Sequence, residues 1–231
     1  MKRPVTEQLL RLAPLFADLP PALLGNVAGN ARPIFRAKGA RIFEEGSVAD
    51  CCYLLTDGRV KVVLADTADG QITLNVLDPL CLIGEVSLLD NLPRSAGLIA
   101  MEDSQLVQIG RTSFLELRNN RSFEDKLVVH VAATLRRATE QLRAIYTFDS
   151  MERVAWCVAR LACPTNGLDA REIVMCPKPT HHDLAEMTGC TRETVSRALL
   201  RLRRLGWVRW DTTSLTLDVK SFRRYLQPIP H

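Results

Sequence analysis

"THHDLAEMTGCTRETVSRALLRLRRLG", residues 180–206, is the stretch that decides the fold. Thr180 with Asp183 three residues on is a capping-box-like helix start. Leu184, Ala185 and Met187 then form an apolar face, and Ala185 is small enough for a second helix to cross closely. Gly189 stands where a tight turn needs permissive φ. Thr191 is placed to cap the next helix. In that helix Val195, Ala198, Leu199, Leu202 and Leu205 share one face, while Arg192, Glu193, Ser196 and Arg197 share another. One face holds the second helix to the first and the other is left for a major groove, which is the helix-turn-helix arrangement. The plainer alternative is an αα-hairpin with a charged solvent face. The small residue at 185, the glycine at 189 and the polar pairs at i,i+4 argue against it.

The polar face carries groups suited to base edges. Arg192 and Arg197 can each donate two parallel hydrogen bonds to guanine O6 and N7, and Glu193 can accept from cytosine N4. Ser196 is small enough to let the backbone approach. Thr180, His181, Thr191 and Arg201 complete the expected DNA-contacting set. Arg203 and Arg204 are expected at phosphates or in solvent. Downstream, "WVRWDTTSLTLDV" (207–219) reads as two short strands around a turn at Asp211–Thr213, a wing beside the second helix.

Upstream, residues 122–146 read as one long helix. Leu127, Val131, Leu135, Ala138, Leu142 and Ile145 recur at heptad-like intervals flanked by Arg136, Arg137, Glu140 and Arg143. So narrow a seam predicts a homodimer through this helix. Asp149 and Ser150 offer a break and a new N-cap, so a hinge is expected at 147–150. Residues 31–112 have a different texture. Short β-rich runs ("RPIFRA", "RIFEEG", "CCYLLT", "RVKVVLAD", "QITLNVL", "GLIAME", "QLVQIG") alternate with turn signals, the pattern of a β-sandwich or roll. "TADGQ" (67–71) carries an Asp-Gly hairpin signal. Residues 5–29 read as short helices broken by Pro14 and Pro20-Pro21. The fold class is therefore α+β, in three parts: a β-roll (jelly roll) over 1–121, a dimerisation helix and hinge over 122–148, and a winged helix-turn-helix over 149–231.

Composition agrees with this partition. The chain has 231 residues, with 47% hydrophobic and 24% charged, as in ordinary globular proteins. The net charge of +4 is uneven: residues 150–231 hold 13 Lys+Arg against 8 Asp+Glu. That local surplus is a weak pointer to nucleic acid. The N-terminal stretch lacks the apolar region of a signal peptide, and no apolar run approaches a membrane span, so a cytoplasmic location is expected. Seven cysteines show no CxxC spacing, and the four histidines show no metal-ligand spacing. Inert, mostly buried thiols and no metal are expected. In a strand, Cys51 and Cys52 would point to opposite faces.

A β-roll, a dimer helix and a winged helix-turn-helix in that order resemble the cyclic AMP receptor protein / fumarate-nitrate regulator family of bacterial transcription factors. The resemblance covers nearly the whole chain. "KGARIFEEGSVADCCYLLTDGRVKVV" (38–63) is similar to the family's roll opening, and "GCTRETVSRAL" (189–199) to its recognition helix. "IGEVSLLDNLPRSA" (83–96) resembles the phosphate-binding cassette of cyclic-nucleotide domains. The resemblance implies a cyclic AMP or cyclic GMP effector, a palindromic double-stranded operator and RNA polymerase as a partner. It also implies roles for the cassette. Gly84 lets the backbone come close, and a short helix begun by Glu85, Val86 and Ser87 aims N–H groups at the phosphate. Arg94 supplies a bidentate cation, Ser95 a hydroxyl donor, and Glu85 an acceptor for the ribose 2′-hydroxyl.

Two departures stand out. Leu80 and Cys81 occupy a turn where the family usually has Gly and Asp, so a differently shaped turn is expected. Ala138 and Thr139 fall where the cyclic AMP receptor proteins contact the base with two hydroxyls, so one base contact is missing and the choice between cyclic AMP and cyclic GMP stays open. A regulator of the same fold that takes cyclic di-GMP, or no small ligand, is the alternative. An iron–sulfur sensor needs cysteines near the N-terminus, and the first here is Cys51. A haem sensor typically uses a roll-domain His or Cys, and no His precedes His130. A cupin-type enzyme needs His and carboxylates clustered in the roll; residues 30–120 contain no His, so no catalytic residues are expected.

Overall fold

A computed structural model describes residues 5–67, 70–162 and 170–226. The chain divides into two compact units, 1–135 and 136–231. The division falls inside the long helix.

In the first unit, helices α1 (Glu7–Arg11) and α2 (Pro21–Asn30) precede strands β1 (Arg32–Arg36), β2 (Arg41–Phe43), β3 (Cys51–Asp57), β4 (Val60–Thr67), β5 (Gly70–Leu77) and β6 (Leu82–Ile83). A single helical turn, α3 (Val86–Leu89), leads to β7 (Gly97–Ala100), β8 (Ser104–Gly110) and α4 (Arg111–Arg118). The long helix α5 (Arg121–Thr147) follows. Among the described residues the strands form two antiparallel sheets, ordered β1-β8-β3-β6 and β2-β7-β4-β5. All seven β-rich runs of the sequence are strands. The chain reverses between β4 and β5, which pair out to Thr67 and Gly70; Asp69 of the expected turn lies outside the described residues.

Strand β3 shows why the roll closes. Its alternate side chains enter two different cores. Cys52 and Leu54 face α1, α2, α4 and the start of α5, with Phe16, Phe114 and Phe123. Cys51, Tyr53 and Leu55 face the other sheet, with Ile42, Val60 and Leu98. A strand covered on both sides reads as an unbroken apolar run, which is why "CCYLL" shows no alternation. The adjacent cysteines do point to opposite faces.

In the Leu80–Cys81 turn Leu80 has a left-handed backbone (φ 71°) although it is not glycine. Such a backbone costs an L-residue ~1–2 kcal/mol. It is held by Leu80 N–H donating to the Leu55 carbonyl at 2.7 Å and by contact with the helical core.

In the second unit, α6 (Ser150–Ala162) begins after a break at Phe148 and Asp149. Asp149 caps it, accepting from Glu152 N–H at 2.8 Å. β9 (Glu172–Met175), α7 (His181–Thr188), α8 (Arg192–Arg204), β10 (Val208–Trp210), β11 (Leu215–Asp218) and α9 (Val219–Leu226) complete the fold. The two expected wing strands are β10 and β11, and β9 adds a third, giving the order β10-β11-β9. The core gathers Val154, Cys157 and Val158 of α6 with Leu184, Val195, Leu199, Leu202 and Phe222. Burying each of the larger groups contributes ~1.5–3 kcal/mol.

One seam residue is corrected. Leu127 is 2% exposed, packed with Phe16 and Phe123 in its own core, and is not available to a partner chain. Val128 is exposed instead, as are Leu135, Leu142 and Ile145. Val128, Val131, Leu135, Ala138, Leu142 and Ile145 are spaced 3, 4, 3, 4 and 3, a stricter heptad than the sequence reading proposed. Val131 remains partly buried against the helical core.

Candidate functional site

The cassette spans the end of β6, α3 and the start of β7. Gly84 has φ 80°, a conformation that favours glycine. A Cβ built there would lie 2.4 Å from Arg94 Nη1. The arginine is therefore as much the reason for the glycine as the turn is. Arg94 is 4% exposed. Its Nη1 donates to the Gly84 carbonyl and its Nη2 to the Cys51 carbonyl, both at 2.6 Å. The guanidinium lies over the Phe43 ring, 4.4 Å from the centroid, and Phe43 stacks on Tyr53. Its backbone is pinned as well, since Gly46 N–H donates to the Arg94 carbonyl and Arg94 N–H to that of Ser47.

The electrostatics are unusual. A buried cation is costly unless it is paired with an anion. Among the described residues no carboxylate forms an ion pair with Arg94, and its Nε has no hydrogen-bond partner. The partners are two carbonyl dipoles and an aromatic face, which stabilise the charge without neutralising it. An anion of the right size would complete the site.

Glu85 is also buried, and its Oε1 lies 3.2 Å from His130 Nε2. Both Glu85 and Arg94 act electrostatically on the buried Cys52 thiol, whose pKa is pushed well up, chiefly by burial. Val86 and Ser95 are exposed. Ser87 is buried, and its hydroxyl donates to the Pro93 carbonyl at 3.3 Å. That bond closes the cassette on itself. Helix α3 is one turn long, and so few aligned peptides make a weak dipole. Arg94, rather than the helix, is the group in the cassette whose charge could hold an anion. Gly84, Glu85, Val86, Ser87, Arg94 and Ser95 are thus brought together. Ala138 and Thr139 lie in the second unit, exposed on α5.

The second candidate region is built from α7, α8 and the wing. Thr180 and Asp183 form the expected capping box. Gly189 ends α7 at φ 63°, and its N–H is satisfied by the Ala185 carbonyl. Thr191 caps α8, accepting from Thr194 N–H at 3.2 Å. Val195, Ala198, Leu199 and Leu202 are buried. Leu205, expected on the same face, is exposed, because it is the C-cap and the chain turns away at Gly206. Arg192, Glu193, Arg197 and Arg201 are exposed, and Ser196 is half-buried. Thr180, His181 and Thr191 are exposed too, at the starts of the two helices.

Glu193 is held below the usual carboxylate range by its own backbone N–H at the helix start and then by Thr191, so it remains an ionised acceptor. Arg203 is exposed, and its guanidinium also lies over the Trp210 ring of the wing, 4.8 Å from the centroid. The wing turn is fixed by Asp211, which accepts from Thr213 N–H and Ser214 N–H, both at 2.7 Å. These bonds hold its carboxyl well below the usual range.

Several features escaped the sequence reading, among them helices α4 and α9 and the following three. His130 is 45 positions from Glu85, and no spacing rule connects them. Phe43 and the Cys51 carbonyl reach Arg94 only through sheet packing. β9, in "REIVMC", had a detectable signal, an apolar run before a Cys-Pro break. Among the described residues, no helix is long and apolar enough to cross a membrane.

Comparison with known proteins gives two domain matches. Residues 34–121 match the cyclic nucleotide-binding domain, and residues 152–225 match the Crp-like helix-turn-helix domain. The chain is 32% identical to a cyclic AMP receptor protein from Thermus thermophilus, over 85% of this chain and 88% of that protein. It is 23% identical to a CRP-like cAMP-activated global transcriptional regulator from Mycobacterium tuberculosis, over 92% and 95%. Among solved structures, FixK2 from Bradyrhizobium japonicum has a TM-score of 0.74 at 21% identity, covering 87% of this chain and 99% of that one. That likeness bears on the fold alone.

Proposed function

The chain belongs to the CRP/FNR family of transcriptional regulators, DNA-binding proteins that are not enzymes, and from that premise we propose that it is a homodimer switched by cyclic AMP or cyclic GMP. The observation that carries the effector is Arg94, a buried cation with an unpaired Nε and no carboxylate partner. A cyclic nucleotide supplies one phosphate charge for Arg94 and one 2′-hydroxyl for Glu85. Ser95 and the Val86–Ser87 backbone contribute further donors. Ala138 and Thr139 bear on the base, and their single hydroxyl leaves both purines open. Residues 1–121 act as sensor, 122–148 as dimer helix and hinge, and 149–231 as DNA reader.

The operator resembles TGTGA-N6-TCACA. Arg192 and Arg197 read its guanines, and Glu193 reads the opposed cytosine. A two-fold dimer presents the same helix to each half-site, which requires an inverted repeat. Thr180, His181, Thr191 and Arg201 contact the backbone, and RNA polymerase is the partner at the promoter. The place of action is the cytoplasm.

Calorimetric titration of the full chain with cyclic AMP, cyclic GMP and cyclic di-GMP tests the effector. Saturable binding of a cyclic mononucleotide, lost in Arg94→Ala, is expected. Binding of cyclic di-GMP alone, or of none of the three, overturns it.

A further inference from the structure

The contact between Glu85 and His130 joins the cassette to helix α5 within the first unit. Their side chains are 5% and 15% exposed, so the contact is made out of bulk water. A carboxylate that far from solvent needs its lone pairs satisfied. Oε1 faces the imidazole, and among the described residues Oε2 has no protein partner. One oxygen is committed and the other is open.

His130 is well placed to fix that geometry. It follows Phe123 and Leu127 on one stripe of α5, at i+7 and i+3, and both are buried in the helical core. The backbone that carries the imidazole is therefore anchored. Thr134 adds a bond to the His130 carbonyl at 3.1 Å.

We propose that His130 is the positioning residue for Glu85, holding its carboxylate so that one oxygen accepts a single ribose hydroxyl, and that it sets the preference for ribo- over 2′-deoxyribonucleotides. The inference rests on the reading of the cassette as a cyclic-nucleotide site and adds a specificity determinant outside the cassette. Without the imidazole the carboxylate loses its fixed rotamer, and a hydroxyl donor gains little from it. A ligand lacking that hydroxyl is indifferent to the change.

The test is calorimetric titration of full-length wild type, His130→Leu, His130→Gln and His130→Asn with cyclic AMP, cyclic GMP and their 2′-deoxy analogues. In wild type the ribo form should bind at least about tenfold more tightly than the deoxy form. In His130→Leu that ratio should collapse toward one while deoxy affinity stays within about twofold. Glutamine can donate across a similar reach and should restore most of the ratio. Asparagine is polar but too short and should not, and it carries the test should the leucine variant fail to fold. A merely structural role would lower both affinities together, and an unchanged ratio, or an equal loss of both, overturns the proposal. A wild type that binds none of the four nucleotides overturns the cassette reading and this inference with it.

Discussion

Gly84 and Arg94 fit together with no room for a side chain: the Gly84 carbonyl accepts from Arg94 Nη1 at 2.6 Å, and a Cβ on Gly84 would lie 2.4 Å from that same nitrogen. Two penalties meet in Gly84→Ala. The left-handed backbone costs ~1–2 kcal/mol, and the guanidinium must leave its carbonyl. The variant should melt several degrees lower and bind cyclic nucleotide at least about tenfold more weakly. Scanning fluorimetry and calorimetry report the two effects, and undiminished affinity would count against the cassette reading.

Arg94→Lys separates charge from geometry. Lysine keeps the cation but lacks the fork that spans the Gly84 and Cys51 carbonyls and the plane that stacks on Phe43. Hydrogen bonds to charged groups contribute ~1.5–3 kcal/mol. The lysine variant should therefore lose about tenfold or more, approaching Arg94→Ala. Wild-type affinity in Arg94→Lys would show that charge alone suffices.

Neighbouring leucines on α5 should behave oppositely. Leu135 is 69% exposed, whereas Leu127 is packed inside its own domain. Leu135→Glu should give monomers by light scattering and weaken operator binding, with a folded sensor unit. Leu127→Ala should cost ~2–5 kcal/mol of stability and leave the chain dimeric. A monomeric wild type at micromolar concentration would sink the dimer.

On DNA, Arg197→Ala should cost ~1–3 kcal/mol on the specific site and little on random duplex. Glu193→Ala should relax preference at one base pair. Arg204→Ala should weaken all sequences alike and flatten the salt dependence. Selection from a random duplex pool checks the assignment; enriched sites without a G-A-containing inverted repeat would refute it.

The described thiols should differ in reactivity according to their burial. Burial pushes the Cys157 pKa up to about 12, and raises that of Cys52 as well. Only the thiolate attacks an alkylating reagent, so at pH 8 both should stay unlabelled in the native protein. Among the described thiols Cys176 is the exposed one and should react ahead of the others described. Peptide mapping after iodoacetamide distinguishes them, and early labelling of Cys157 would contradict its packing.

Both helices of the DNA-reading motif, their caps and their turn were legible as local chemistry. Thr180 with Asp183, Gly189 and Thr191 act within four residues of themselves, so linear spacing carries the whole message. The strands of the roll were legible for a similar reason. The seam on α5 was legible only in outline. A helix advances 100° per residue, and Leu127 and Val128 are nearly equivalent candidates until the position of the core is known. Their burial assigns Leu127 to the monomer and leaves Val128 exposed.

The amino-acid sequence by itself determined most of the elements, their order and the residue types of the cassette, because propensity, capping and periodicity are short-range. What surrounds Arg94 and Glu85 was decided only by tertiary structure. The Cys51 carbonyl lies 43 positions from Arg94, and His130 lies 45 positions from Glu85. These groups meet because β3 is sandwiched between two cores and α5 is anchored by Phe123 and Leu127. Burial then turns two ordinary charges into a cation that lacks an anion and a carboxylate with one oxygen to spare, since desolvation is a property of the packed fold and not of the residues alone.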